Sequence, residues 1–232
     1  MKGKQTLLSL LLCAALAVSL CPTALADGGV PYLDESGNEQ TYPSAVPVTN
    51  LDTAWSNNWY VASDGVEISS RVTVTGDVHL ILADNCVLTV NGGINVSKGN
   101  SLTIYAQSTG ENTMGKLTAT ATDGNAGIGG GYCGAGGEIT ITGGTVTASS
   151  VVGAGIGGGD GGAGGEIAIS GGTVRATSSG NGAGIGGGEG KSGGTITITG
   201  GTVEASSRYG GAGIGGGNSG AGHVIINGGT VT

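Results

Sequence analysis

Hydrophobic and polar residues alternate in short segments of the second half of the chain, and these segments recur at a fixed interval. Ile139 and Ile141 alternate with threonines, and after two glycines Val146 and Ala148 alternate with threonine and serine. This period of two, carried by β-branched residues, predicts half-buried strands. The equivalent apolar positions of the next two units are Ile167, Ile169, Val174 and Ala176, followed by Ile196, Ile198, Val203 and Ala205.

The repeated unit is 28 or 29 residues long. Gly-Thr-Val triplets begin at residues 144, 172, 201 and 229, and A-G-I-G-G-G segments begin at residues 126, 154, 183 and 212. A chain that returns at this interval stacks each unit on the one before, about 4.8 Å away. The sequence therefore predicts an all-β fold, a single-stranded right-handed parallel β-helix (β-solenoid) with about 28–29 residues per turn. A single unit buries too little apolar surface to fold alone.

The glycine clusters admit another interpretation, because residues 153–158 satisfy the dinucleotide-binding pattern G-x-G-x-x-G. That fingerprint requires a strand before it, a helix after it and a single occurrence. Here the A-G-I-G-G-G motif occurs four times without a helical pattern behind it. Disorder is a further alternative, but a flexible linker does not keep isoleucine at a constant phase. We interpret the glycines as a close-packed third side around an inward column of Ile128, Ile156, Ile185 and Ile214.

The chain divides into four segments by composition. Residues 1–26 combine a basic start, an apolar run and an Ala-Leu-Ala tail, which is typical of a cleavable signal peptide. Residues 27–53 contain three prolines and are expected to be an exposed polar leader or linker. We expect an N-terminal cap and irregular turns at 54–122, then regular turns at 123–232. The last unit stops in the middle, so we expect the chain to be truncated at its C-terminus.

Charge and cysteine content narrow the classes of partner. Without residues 1–26 the chain has six basic and sixteen acidic residues, a net charge of −10. Such a chain has no basic patch for nucleic acid, and neither a nucleotide nor a membrane span is expected in the mature protein. Cys86 and Cys133 are expected to be unpaired, with a single bridge between them as the alternative.

Two aromatic residues near the start of the coil are the first candidates for binding. Trp55 and Trp59 precede the irregular turns. They are expected to cover the open lower end as a cap, which solenoids need. The alternative is a ligand-binding role, since the flat face of an indole packs well against a sugar ring.

A second candidate site is a column of oxygen-bearing residues. Asp160, Glu189 and Asn218 follow the triple glycine in successive units, and Tyr132 holds this position in the first. Side chains spaced one turn apart, together with backbone carbonyls, are suitable ligands for Ca²⁺. Solvated turn residues are the alternative. No other cofactor is expected.

No set of residues in the sequence predicts catalysis. His79 and His223 lie far apart along the coil, and the acids Asp64, Asp77 and Asp84 lie near turns. Arg175 and Glu204 share a column and are expected to pair across adjacent turns. The same charges interrupt a regular threonine column, which argues against ice binding.

The segment "GDVHLILADNCVLTVNGGINVSKGNSLTIYAQS", followed by the glycine-rich repeats, resembles a known group of proteins. These are secreted or cell-surface parallel β-helix repeat proteins of gut clostridia and related Gram-positive bacteria, of the carbohydrate-binding-domain-containing type. A more distant resemblance is to a calcium-dependent clostridial β-helix that binds acidic polysaccharide. The resemblance covers about residues 55–232 and implies a surface or secreted role in adhesion. It transfers no site residue to this chain.

The resulting hypothesis is a non-enzymatic secreted or cell-surface module that binds carbohydrate or acts in adhesion. Its partner would be a polysaccharide or a glycan of a host or cell surface, outside a Gram-positive bacterium. A structural stalk that presents another domain is the first alternative. A polysaccharide lyase or hydrolase is the second.

Overall fold

Residues 28–232 are described by a computed structural model, and they form a parallel β-solenoid of about six turns with no helix among them. Three parallel sheets line the coil, and we call them face 1, face 2 and face 3 in the order in which each turn enters them. The predicted all-β parallel solenoid is thereby confirmed. The predicted signal peptide lies outside the described residues. Within residues 28–232, no helix of a length and hydropathy suited to crossing a bilayer is found.

Each face consists of short strands contributed by successive turns. The strands of face 1 are Ala54–Ser56, Val72–Thr75, Ile94–Asn95, Ile128–Gly129, Ile156–Gly157, Ile185–Gly186 and Ile214–Gly215. The strands of face 2 are Val46–Pro47, Trp59–Ala62, Asp77–Leu82, Ser101–Ala106, Glu138–Ile141, Glu166–Ile169, Thr195–Ile198 and His223–Ile226. The strands of face 3 are Gly65–Ile68, Val87–Asn91, Lys116–Ala121, Thr145–Ser150, Thr173–Ser178, Thr202–Ser207 and Thr230–Val231.

The register between turns follows the sequence repeat. Ile128 is the direct partner of Ile156, and Ile156 is the direct partner of Ile185, steps of 28 and 29 residues. The lower turns are less regular, because Leu102 has Val78 below it and Ile139 above it, steps of 24 and 37 residues. The regular spacing therefore belongs to the upper turns, and the irregular turns lie beneath them.

The inward side chains form one continuous core. Ile128, Ile156 and Ile185 are fully buried, and Ile214 of the last turn is partly buried against the same cluster. Alternate residues of the strands in faces 2 and 3 point into this core, such as Ile139 and Val146. Since the core is aliphatic and continuous from turn to turn, it supplies most of the apolar burial that stabilises the coil.

Steric constraints explain why glycine follows each inward isoleucine. Gly157 has a φ of 129°, a conformation that residues with a side chain rarely adopt. A Cβ atom at this position would overlap with the carbonyl oxygen of Gly186 in the next turn. Gly129 and Gly186 repeat the same arrangement. These glycines therefore have a structural role, because they allow adjacent turns to approach closely, as the repeat predicts.

Residues 28–53 differ from the exposed polar leader that the prolines predict for residues 27–53. Val30–Leu33 and Glu39–Tyr42 form an antiparallel hairpin, and Val46–Pro47 pairs with the first long strand of face 2. The prolines are compatible with these strands because the strands lie at edges, where a missing N–H costs little. The hairpin covers the outer side of face 2, and a second small core there consists of Val30, Ala45, Val61, Ile81 and Tyr105.

Candidate functional site

Trp59 lies on the outer side of face 2, beneath the hairpin, and aromatic rings surround it. Tyr42 stacks on Trp59 at a centroid distance of 4.5 Å, and His79 stacks on it at 4.2 Å. Tyr105 and Tyr32 lie within 5.1 and 4.9 Å. These contacts hold the hairpin to the coil. Trp59 remains partly exposed and lines a small cavity with Tyr42 and His79, so its ligand-binding role stays a prediction.

Trp55 lies in face 1, and its side chain points into the core of the coil. It is 0 % exposed, and its indole N–H donates a 2.9 Å hydrogen bond to a carboxylate oxygen of Asp52. A ligand has no access to this side chain, so the binding role considered for Trp55 is wrong. Its position in the lowest strand of face 1 agrees with a structural role at the bottom of the core.

A hydrogen-bonded chain of polar residues runs beside Trp59. His79 Nδ1 lies 3.0 Å from the hydroxyl of Tyr105, and His79 Nε2 lies 3.2 Å from Asp77 Oδ2. Ser101 donates a 2.6 Å hydrogen bond to the other carboxylate oxygen of Asp77. Burial raises the pKa of Tyr105 to about 12, so this hydroxyl keeps its proton at neutral pH. Both imidazole nitrogens of His79 therefore have hydrogen-bonding partners within the protein.

A groove of about 510 Å³ lies at the corner where the chain passes from face 1 to face 2. Four successive turns contribute to it, through residues 98–101, 135–138, 163–166 and 194. The lining residues are Lys98, Gly99, Asn100, Ser101, Ala135, Gly136, Gly137, Glu138, Ala163, Gly165, Glu166 and Gly194. We call this feature the corner groove.

The repeat explains why the corner is hollow. Glycine precedes the face 2 strand in successive units, at Gly137, Gly165 and Gly194, so the floor consists mostly of backbone. A Cβ on Gly165 would overlap with the carbonyl oxygen of Gly137, which shows how closely the turns approach there. Alanines complete this shallow apolar floor.

The rim of the corner groove carries the polar side chains. Ser101, Glu138 and Glu166 are direct partners in successive strands of face 2, and both glutamates are exposed. Lys98 lies at the lower end. Asn100 is held in place, because its side-chain oxygen accepts a 2.8 Å hydrogen bond from the N–H of Gly76. Sequence reasoning missed this site, although acids at one repeat position directly after glycine were visible at residues 138 and 166.

The column proposed for Ca²⁺ lies in stacked loops between faces 1 and 2. The N–H of Cys133, beside Tyr132, donates to the carbonyl oxygen of Asp160 at 2.8 Å, and the N–H of Gly190 donates to that of Asn218 at 2.9 Å. Asp160, Glu189 and Asn218 thus occupy successive turns. Within residues 28–232, no three side chains of His, Cys, Asp or Glu are grouped closely enough to hold a metal ion. Calcium binding at this column stays a prediction.

Two smaller expectations agree with the structure. Arg175 and Glu204 form an ion pair across adjacent turns at 2.8 Å, with both side chains about half exposed. Cys86 is buried and Cys133 is exposed, and neither forms a disulfide. Burial raises the pKa of the Cys86 thiol to about 11, which makes it an inert core residue.

Comparison with known proteins supports the repeat assignment. Four segments match the family described as Beta helix repeat, at residues 115–132, 139–160, 167–189 and 196–218. Comparisons with curated proteins and with solved structures gave no significant match. The last three matched segments each run through one strand of every face, and the first contains the strands Lys116–Ala121 of face 3 and Ile128–Gly129 of face 1. The solenoid and the four matches together support a parallel β-helix repeat architecture for this chain.

Proposed function

We propose that this chain is a non-enzymatic carbohydrate-binding module of a secreted or cell-surface protein, and that the corner groove takes the glycan. The observation that carries the proposal is the continuity of the groove across four successive turns. At about 4.8 Å per turn, three steps give a length of about 14 Å along the coil axis. A short stretch of an extended polysaccharide fits a groove of this length.

The chemistry of the corner groove also suits a sugar. The floor of glycine and alanine can contact the apolar C–H face of a pyranose ring. The rim offers carboxylate and ammonium groups at Glu138, Glu166 and Lys98, which hydrogen-bond to hydroxyls. A shallow apolar floor with a few polar groups is a common arrangement in ligand sites. Adhesion would follow if the glycan belongs to a cell surface.

A hydrolase is the second candidate function, because two glutamates line the same groove. An acid–base pair of carboxyl groups requires two different environments, one of which keeps a proton on its carboxyl group. Glu138 and Glu166 are both exposed and occupy equivalent positions in adjacent turns. Their surroundings are therefore alike, and binding is the function that this arrangement supports best.

The test is a panel of soluble polysaccharides in affinity electrophoresis, with calorimetry on any that retard the protein. We expect at least one polysaccharide to be retained, and we expect Glu138→Ala/Glu166→Ala to weaken retention at least about fivefold, since charge-assisted hydrogen bonds are lost. Glu204→Ala on face 3 is the matched control and should bind as the wild type does. Release of reducing ends or unsaturated sugars by the same samples would indicate an enzyme instead. If no polysaccharide is retained, the stalk hypothesis is favoured.

A further inference from the structure

The two glutamates of the corner groove form an uncompensated pair of like charges. Glu138 and Glu166 are direct partners in the parallel ladder of face 2. Among the described residues, Arg175 forms an ion pair with Glu204 and His79 contacts the carboxylate of Asp77, and neither contact includes these glutamates. Like charges directly opposite each other destabilise a sheet. The pair thus opposes folding slightly, and its placement in the groove indicates a role towards a ligand.

The remainder of the groove does not cancel this charge. Lys98 is the single basic side chain among the lining residues, and it lies at the lower end. The turn above Glu166 places Thr195 next in the column, so the carboxylates occupy the middle of the rim. The chain that follows residue 26 has a net charge of −10, which adds a negative field around the site.

From this geometry we infer that the corner groove is selective for neutral polysaccharides and rejects those that carry carboxylate or sulfate groups. This inference rests on the proposed function. A glycan that lies along the coil axis passes two glutamates carried by strands about 4.8 Å apart. An anionic group on either of the adjacent sugars would lie beside a like charge, and such juxtaposition weakens binding. The distant resemblance to a binder of acidic polysaccharide points to the opposite ligand class.

The experiment compares one neutral polysaccharide that the wild-type protein retains with its carboxymethyl derivative, which keeps the same backbone. At low ionic strength we expect the neutral form to bind at least about tenfold more tightly. Glu138→Gln/Glu166→Gln removes both charges and keeps hydrogen-bonding groups. In this variant both forms lose the charge-assisted hydrogen bonds of the two carboxylates, and we expect the ratio of their affinities to fall until they differ less than about twofold. Added salt should narrow the wild-type difference.

Lys98→Gln is the matched control, because it changes charge in the same groove with the opposite sign. It should widen the difference between the two forms. Equal binding of both forms by the wild type would overturn the charge selectivity and leave the proposed function standing. Binding of anionic polysaccharides alone would overturn it in the same way. Failure to bind any polysaccharide would remove the proposed function, and the selectivity with it.

Discussion

The guanidinium of Arg71 donates a 3.0 Å hydrogen bond to the carbonyl oxygen of Gly129, which lies 58 residues further along the chain. The same side chain also bonds to the carbonyl oxygens of Gly92, Ala126 and Gly130. It therefore joins an irregular lower turn to the first glycine-rich turn. Burial lowers the pKa of Arg71 to about 10, so the group remains charged at neutral pH.

We expect Arg71→Met to lower the free energy of unfolding by about 3 kcal/mol, because hydrogen bonds from a charged group are lost and carbonyls remain partly buried. Urea unfolding followed by circular dichroism measures this change. Arg175→Met, which removes an exposed ion pair, should cost less than about 1 kcal/mol. Equal costs for the two variants would show that Arg71 does not clamp the turns.

The glycines that follow the inward isoleucines predict that one added methyl group will destabilise the fold. Gly157→Ala should destabilise the protein by about 3 kcal/mol or more, because the new methyl group would meet the carbonyl of Gly186 and the φ is strained. Gly65→Ala is the matched control, since a Cβ there meets nothing within 4 Å and its φ is ordinary. Thermal unfolding of both variants tests the expectation. A stable Gly157→Ala protein would contradict the tight approach of the turns.

The aromatic cluster predicts that Trp59 contributes to stability, whereas the proposed glycan site is the corner groove. Trp59→Ala should cost about 2–3 kcal/mol, since the contacts with Tyr42 and His79 that fasten the hairpin are lost. Retention of polysaccharide by the folded variant should stay within about twofold of the wild type. A selective loss of retention with unchanged stability would support the ligand-binding role of Trp59 instead.

The two cysteines should differ sharply in reactivity. Cys133 is exposed and should be alkylated in the native protein, whereas Cys86 is buried and should react only after unfolding. Mass-spectrometric mapping of the labelled peptides distinguishes these sites from the cysteines of residues 1–26. A peptide that links Cys86 to Cys133 by a disulfide would contradict the structure.

Alkaline pH should weaken the fold through the same buried thiol. The pKa of Cys86 is about 11 in the folded protein and near its ordinary value of 9.0 once unfolded. Between these values the unfolded chain releases a proton that the folded chain keeps, so stability falls as pH rises from about 9 to about 11. Urea unfolding at about pH 8 and about pH 10 measures the fall, which should be smaller in Cys86→Ala.

The upper turns were predictable because each residue there repeats the role of its counterpart one unit below. Isoleucine at a constant phase gave the inward column, and the pairing of Ile128 with Ile156 follows from their spacing alone. The charge pair of Arg175 and Glu204 was predictable for the same reason. Residues one repeat apart in sequence are neighbours in adjacent turns, so their contacts can be predicted from the repeat length.

The contacts of the lower turns were harder to predict because no sequence repeat indicates them. Three prolines suggested a linker at residues 27–53, yet a short hairpin at the edge tolerates them and packs on Tyr105 and Ile81. Trp55 and Trp59 look alike in sequence, but strand alternation sends one inward and the other outward. The corner groove was missed because glycines and alanines form its floor. Its shape depends on how the turns stack, which the sequence of one turn does not show.

Three of the four turns that form the corner groove place equivalent residues there at intervals of 28 or 29 residues. Duplication of one repeat in the gene would lengthen the groove by one turn and leave its cross-section unchanged. A point substitution would change the chemistry of one turn and leave the length of the groove unchanged. Evolution can therefore adjust how long a ligand the protein measures and which chemical groups it accepts by two independent genetic routes.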